Sequence, residues 1–203
     1  MSTNENGDQT RRILGIDPGL NVTGYGVIES CQGRIRLREA GIVRGSSGAS
    51  LATRVSEIHT GVVDVIENLQ PEVVAIEELF SHYQRPRTAI LMGHARGVIC
   101  LAAAQRCLHV ESYAATKVKK LITGSGRAPK THVQFAVTRE LQLPDVPDPH
   151  AVTSALAIAT SQAHPSDLHS LLTLLFPLLL ASSSSPPLSF FLLLLLSLPP
   201  PSS

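Results

Sequence analysis

Two carboxylates sit where apolar runs end. In Gly15-Ile16-Asp17-Pro18-Gly19 the acid closes the run that begins at Ile13, and Pro18-Gly19 turns the chain. The run Val73 to Ile76 ends in the same manner at Glu77-Glu78. Two strand-terminal carboxylates on one sheet can share a divalent cation, because hard ions such as Mg2+ take oxygen ligands and Mn2+ accepts the same donors. Strand ends also carry acids as solvated turn residues, so either site alone is a weak signal. The pair, together with the glycines of Thr23-Gly24-Tyr25-Gly26 that let a backbone or ligand approach closely, favours chemistry.

Cationic residues gather further along. Lys117, Lys119, Lys120, Arg127 and Lys130 fall on a short helical stretch and a Gly-rich loop, an arrangement suited to phosphates. A solvated helix face would read alike. His59, His82, His94, His109 and His132 have no ligand-like spacing and suit surface or core positions.

The elements that must position these groups follow from periodicity. Ile13–Asp17, Thr23–Glu29 and Arg34–Val43 read as three closely spaced strands of an antiparallel meander. Leu51, Val55, Ile58, Val62 and Ile66 repeat at a helical period, with Ser50 as N-cap and Pro71 after the end. Val73–Ile76 is an unbroken apolar run, as in a buried central strand. Ser81–Arg87 is polar and reads as a loop, and Thr88–Gln105 as a helix with the small residues Gly93, Ala95 and Gly97. Leu108–Val110 suggests a short strand, Tyr113–Ile122 a basic helix, Gly124–Pro129 a loop, and Lys130–Leu141 and Pro147–Ala163 two further helices. A meander followed by alternating helices and strands predicts an α/β domain with a mixed sheet, antiparallel and parallel, flanked by helices.

At 203 residues the chain is long enough for one domain with a real core. The net charge of +1 is uninformative, but every Lys and Arg lies at or before Arg139 and only Asp167 is charged beyond His164. Residues 1–10 are polar and read as a disordered N-terminus, and 11–164 form the expected domain. Residues 165–203 are a Leu/Ser/Pro tail read as low-complexity sequence, of the kind a shifted reading frame gives, in preference to evolved structure such as a membrane-associated hairpin. Its Leu-rich runs, Leu168–Ala181 and Leu188–Leu198, are shorter than the roughly 20 residues a membrane helix needs. The three cysteines show no C-x-x-C pair, and the N-terminus does not resemble a signal peptide, so a cytoplasmic, non-membrane body is expected.

Several blocks together resemble the RuvC-type Holliday-junction resolvases. Leu14-Gly15-Ile16-Asp17-Pro18-Gly19 and Thr23 to Ile28 resemble the family's opening, and Ala75-Ile76-Glu77-Glu78-Leu79-Phe80 its second acidic strand. Gly93 to Val98 resembles its subunit-pairing helix. Tyr113–Lys119 and Gly124–Lys130 resemble its DNA-binding stretch, and Ala155 to Ala159 its last helix. The match runs in order from about Arg12 to Ala163. The resemblance implies a ribonuclease H-like fold and a homodimer that nicks four-way junction DNA in recombination and repair. It also implies in-line attack of water with two metal ions about 4 Å apart and a branch-migration helicase complex as partner. Asp17 and Glu77 would be metal-binding and catalytic. Lys119 and Lys130 would be the best DNA contacts, with Lys117 and Arg127 beside them and Arg85 and Arg87 adding backbone contacts. Phe80 would stack on bases at the crossover, although core packing also suits it.

One block departs from that pattern. The family carries an acid or His, then a second acid three residues later, before the Ala-Leu-Ala run. Here those positions are Ala151 and Ser154. A methyl cannot coordinate, and a neutral hydroxyl replaces a carboxylate poorly. Asp148 and His150 lie nearby, and His150 is the candidate third catalytic residue although it sits about 100° around the helix from the expected position. A junction-binding protein with impaired cleavage is therefore the alternative. A ribonuclease H-like phosphotransferase would also suit an acid beside a Gly-rich hairpin, but it requires a second phosphate loop, which the sequence lacks in the right order.

Overall fold

The computed structural model describes residues 2–3, 9–79 and 86–164. Strands β1 (Ser2–Thr3), β2 (Gln9–Asp17), β3 (Val22–Cys31) and β4 (Arg34–Arg44) lead into helix α1 (Leu51–Leu69) and strand β5 (Val73–Glu77). Helix α2 (Pro86–Ala104), strand β6 (His109–Tyr113) and helices α3 (Ala115–Thr123), α4 (Lys130–Glu140) and α5 (His150–Ala163) follow. The sheet has the order β4-β3-β2-β5-β6, with β1 paired to β2. β2, β3 and β4 are antiparallel neighbours, whereas β5 runs parallel to both β2 and β6. This is the mixed α/β sheet expected.

Side-chain alternation divides the core in two. Ile13, Ile28, Val73 and Ala75 point to one face, where α3, α4 and α5 supply Val118, Val137, Leu156 and Ile158. Leu14, Ile16, Val27, Val74 and Ile76 point to the other, against Ile58, Val62 and Ile66 of α1 and Ile99 of α2. β2 and β5 are thus covered on both faces, which is why their runs are apolar without interruption.

Several elements begin where sequence reading placed them. Ser50 caps α1 by accepting from the Thr53 amide at 3.1 Å, and the Gln70 amide closes the helix on the Ile66 carbonyl. Other boundaries differ. Ser2–Thr3 pair with Gln9–Thr10, so part of the expected disordered N-terminus is strand. Arg87 belongs to α2 and not to the preceding loop. Tyr113 ends β6 instead of opening a helix, because it pairs level with Glu77 and its ring is buried against the α5 side, with the hydroxyl donating to Gln162. α5 starts at His150 and not at Pro147, since the ring of Pro149 disfavours helical geometry at Asp148. No helix among the described residues is long and apolar enough to cross a membrane. Phe80, Arg85 and the tail from Pro165 lie outside the described residues.

Candidate active site

Asp17 and Glu77 become neighbours through register. Ile16 of β2 pairs with Ile76 of β5 in parallel, so the next residue on each strand is an acid at the same level, about 4.8 Å apart across the ladder. Asp17 shares its side of the sheet with Ile13 and Gly15, and Glu77 shares the same side with Val73 and Ala75. Both carboxylates therefore face α5. Glu78 falls on the opposite side and is exposed, with its amide held by the Tyr113 carbonyl at 2.9 Å.

The glycines let α5 settle on this end of the sheet. A Cβ at Gly15 would collide with the carbonyl oxygen of Ala155, and one at Gly24 with that of Ala151. Gly24 pairs with Asp17 across β2 and β3. The first turn of α5 thus lies directly over the carboxylate pair, and side-chain-free backbone at two positions is what permits it.

The result is a cleft of about 290 Å³ lined by Asp17, Glu77, Lys119, Lys130, Gln134, His150 and Ser154, with Met92, Val118, Val133 and Ile158 among its apolar walls. Burial raises the pKa of Asp17 to about 6, opposed by the Ser154 hydroxyl directed at it and by the charge of Lys130. Burial also raises Glu77, to about 7, with the neighbouring Asp17 charge adding to the rise and Lys130 and Lys119 opposing it. Two half-desolvated carboxylates side by side form a site that wants positive charge.

Among the described residues, no three His, Cys, Asp or Glu side chains are grouped to hold a metal ion. The pair alone suits a hard divalent cation nonetheless, since Mg2+ typically binds through one or two carboxylates and completes its sphere with water and substrate phosphate. Asp17 and Glu77 would hold it.

Of the residues singled out from sequence, the fold gathers Asp17, Glu77, His150, Lys119 and Lys130 into one cleft. Lys117 and Arg127 do not line it. Both are exposed, and the Lys117 ammonium lies 5.3 Å from the centre of the Tyr113 ring. His150 enters from the first residue of α5, where its Nδ1 is 2.8 Å from Gln134 Nε2. Ser154 lines the cleft, while Ala151 meets Gly24 through its backbone. Two residues were missed. Gln134 lies four residues after Lys130, on the same face of α4, and that spacing would have found it. Arg96 of α2 donates to the Glu77 carbonyl at 3.3 Å and to Ser112 Oγ at 2.7 Å, a contact between distant elements without a local signal.

The family model described as crossover junction endodeoxyribonuclease RuvC matches residues 13–162. A protein of that name from Rhodopirellula baltica is 54% identical over 147 residues, covering 72% of this chain and 83% of the relative. Another from Pelotomaculum thermopropionicum is 43% identical over 152 residues, covering 75% and 92%. Among solved structures, Thermus thermophilus RuvC in complex with a Holliday junction substrate superimposes with a TM-score of 0.70 at 34% identity, covering 75% of this chain and 93% of that one. A yeast mitochondrial Holliday junction resolvase shares the fold, with a TM-score of 0.57 at 10% identity over 75% of this chain and 79% of that one. The chain belongs to the crossover junction endodeoxyribonuclease RuvC family.

Proposed function

We propose that this RuvC-family chain is a structure-specific endonuclease that resolves four-way DNA junctions by metal-dependent phosphodiester hydrolysis. The observation that carries this reading is the register-level pair Asp17 and Glu77 facing a cleft that also holds Lys119 and Lys130. The carboxylates bind cations, the lysines bind phosphate, and the two chemistries meet within one opening.

Each residue has a role in this reading. Lys119 and Lys130 attract the strand and hold its phosphates at the mouth of the cleft. Asp17 and Glu77 present oxygens towards the scissile phosphate. A bound Mg2+ or Mn2+ supplies Lewis-acid polarisation and lowers the pKa of water. Lys117 and Arg127, exposed beside the cleft, extend the phosphate-binding surface, and Phe80 would stack at the crossover. His150 is the proposed third catalytic residue, held by Gln134 and placed to orient water or a phosphate oxygen.

The chain would act as a homodimer through α2. Ile90 and Leu91 of that helix are exposed, and a Cβ at Gly97 would meet nothing within 4 Å, so packing within the subunit does not account for this small residue. A cytoplasmic setting and a branch-migration helicase partner complete the proposal.

The rival reading, junction binding without cleavage, rests on Ala151 and Ser154 standing where the family carries ligands. The endonuclease reading is favoured by the relatives, which are named for that activity. Incubating the purified chain with a synthetic four-way junction and Mg2+ or Mn2+ decides between them. Paired symmetric nicks are expected. A gel shift without nicks, with nicking gained in the Ala151→Asp/Ser154→Asp double variant, would overturn the endonuclease reading.

A further inference from the structure

We infer that Arg44, the last residue of β4, holds a backbone phosphate of the DNA strand that crosses the Asp17–Glu77 pair. The inference rests on the junction-binding reading above and adds a contact on the β4 side of the pair. Arg44 does not itself line the cleft.

Strand register places it. Asp17 pairs with Gly24 across β2 and β3, and Gly24 pairs with Ile42 across β3 and β4. The register shift between β3 and β4, at Val27/Ile28, lies outside this stretch. Residues directly opposite one another share a face of the sheet, and Ile42 packs against the α5 core. Arg44, two residues beyond Ile42, therefore faces the same side as Asp17. Two strand spacings across and two residues along put its Cα about 12 Å from that of Asp17. Main chain fixes the position on both sides. Arg44 pairs with Val22, and the Gly45 amide donates to the Asn21 carbonyl at 3.1 Å. The turn that follows Asp17 is thus tied to the end of β4.

Charge gives the occupant. Arg44 is exposed, and among the described residues it makes no ion pair. The acids of β4 and of the first turns of α1 are engaged elsewhere. Glu39 accepts from the Tyr25 hydroxyl at 2.8 Å, and Glu57 from the amide and hydroxyl of Ser46 at 2.6 and 2.7 Å. The sheet order β4-β3-β2-β5-β6 sets Arg44 on one side of the carboxylate pair. Lys119 stands on the other, in the helix that follows β6, where its charge acts on Glu77. The acids repel phosphate, so cations on both flanks are what hold a strand across them. At 3.4 Å of rise per phosphate, 12 Å brings Arg44 level with a phosphate roughly two to four nucleotides from the one at Asp17. Cations on an edge strand also keep sheets from pairing edge to edge, and Arg34, Arg36 and Arg38 suit that role. Arg44 differs from them in lying at the end of the sheet that carries the site.

The test measures binding of a labelled four-way junction by fluorescence anisotropy in chelator, across a salt series. It compares the intact chain with R44A, R44K, R36A and K130A, each checked for an unchanged melting temperature. R44A is expected to lower the slope of log affinity against log salt by about one, which is about eightfold weaker binding at 0.1 M salt. R44K should restore the slope. R36A removes the same charge roughly 25 Å away along β4 and should leave binding unchanged. Junctions carrying single uncharged methylphosphonates then locate the contact. One substitution should weaken the intact chain but not R44A, and a different one should do so for K130A. An unchanged slope in R44A, with K130A impaired, would overturn the inference and leave the junction-binding reading standing. So would a slope that R44K fails to restore, equal losses in R44A and R36A, or one methylphosphonate shared by Arg44 and Lys130. Normal binding by R44A with a changed sedimentation coefficient would make Arg44 an edge guard and also overturn the inference. If the intact chain did not bind the junction, the broader reading would fall and this inference with it.

Discussion

The guanidinium of Arg96 donates from Nε to the main-chain carbonyl of Glu77, 3.3 Å away. The same side chain reaches Ser112 on β6. Helix α2 therefore ties together the ends of β5 and β6, at the point where the second carboxylate leaves the sheet. A hydrogen bond to a main-chain atom constrains the position of Glu77 without touching its charge.

Replacing Arg96 should loosen that strand end. Arg96→Ala is expected to cost about 1–2 kcal/mol in stability. It should also reduce the rise in melting temperature that Mg2+ or Mn2+ produces in the intact protein. Thermal melts with and without cation separate the two effects. An unchanged cation-induced rise would show that Arg96 braces the fold without positioning Glu77.

The raised carboxylates make stability depend on pH in a definite direction. Asp17 and Glu77 have folded pKa values of about 6 and about 7, against about 4 in an unfolded chain. Between those values the folded state holds more protons than the unfolded one, so stability falls as pH rises from about 4 through 7. Glu77→Gln should accordingly raise the melting temperature of cation-free protein at pH 8 and leave it nearly unchanged at pH 4. Added divalent cation should narrow the difference at pH 8. A melting temperature of the unaltered protein that rises over this window would contradict the burial argument.

Ser154 lowers the pKa of Asp17 through its hydroxyl. Removing that donor in Ser154→Ala should move the Asp17 titration upward, observable by carbon-detected NMR of the side-chain carboxyl. Ser154→Asp should increase affinity for Mn2+ by adding a third oxygen donor to the cleft. No gain in Mn2+ affinity would place the new carboxylate out of reach of the pair.

The approach of α5 to the sheet leaves no room for a methyl group at Gly15 or Gly24. Gly24→Ala is expected to destabilise by about 3 kcal/mol, at the upper end of overpacking, because the obstacle is the Ala151 main chain and not a movable side chain. The denaturation midpoint measures this directly. Alanine at Gly97, inside α2 with nothing within 4 Å, should instead raise subunit stability by about 0.5–1 kcal/mol through its greater helix propensity.

The lysines should separate by position. Lys119→Ala and Lys130→Ala should each weaken junction binding and lower the salt slope by about one. Lys117→Ala, outside the cleft and stacked over Tyr113, should cost less. Filter binding across a salt series distinguishes them.

Much of this site was legible in the chain itself. Apolar runs ending in Asp17 and Glu77, the Ser50 cap, the glycines at 15, 24 and 26 and the cationic stretch from Lys117 to Lys130 are local patterns, and local patterns reveal strands, turns and charge. They also carry the departure at Ala151 and Ser154, which no fold alters. Tertiary structure decided what stands beside what. The parallel register of β2 and β5 brought the two acids level, α5 came to rest on glycine backbone above them, and His150 turned into the cleft against Gln134 despite its offset from the family position. Arg96 reached Glu77 from a helix 19 residues away, and strand pairing turned Arg44 to the face that carries Asp17. Periodicity assigns a residue to a face of its own element. Only packing between elements determines which faces meet, and a binding site is made where they do.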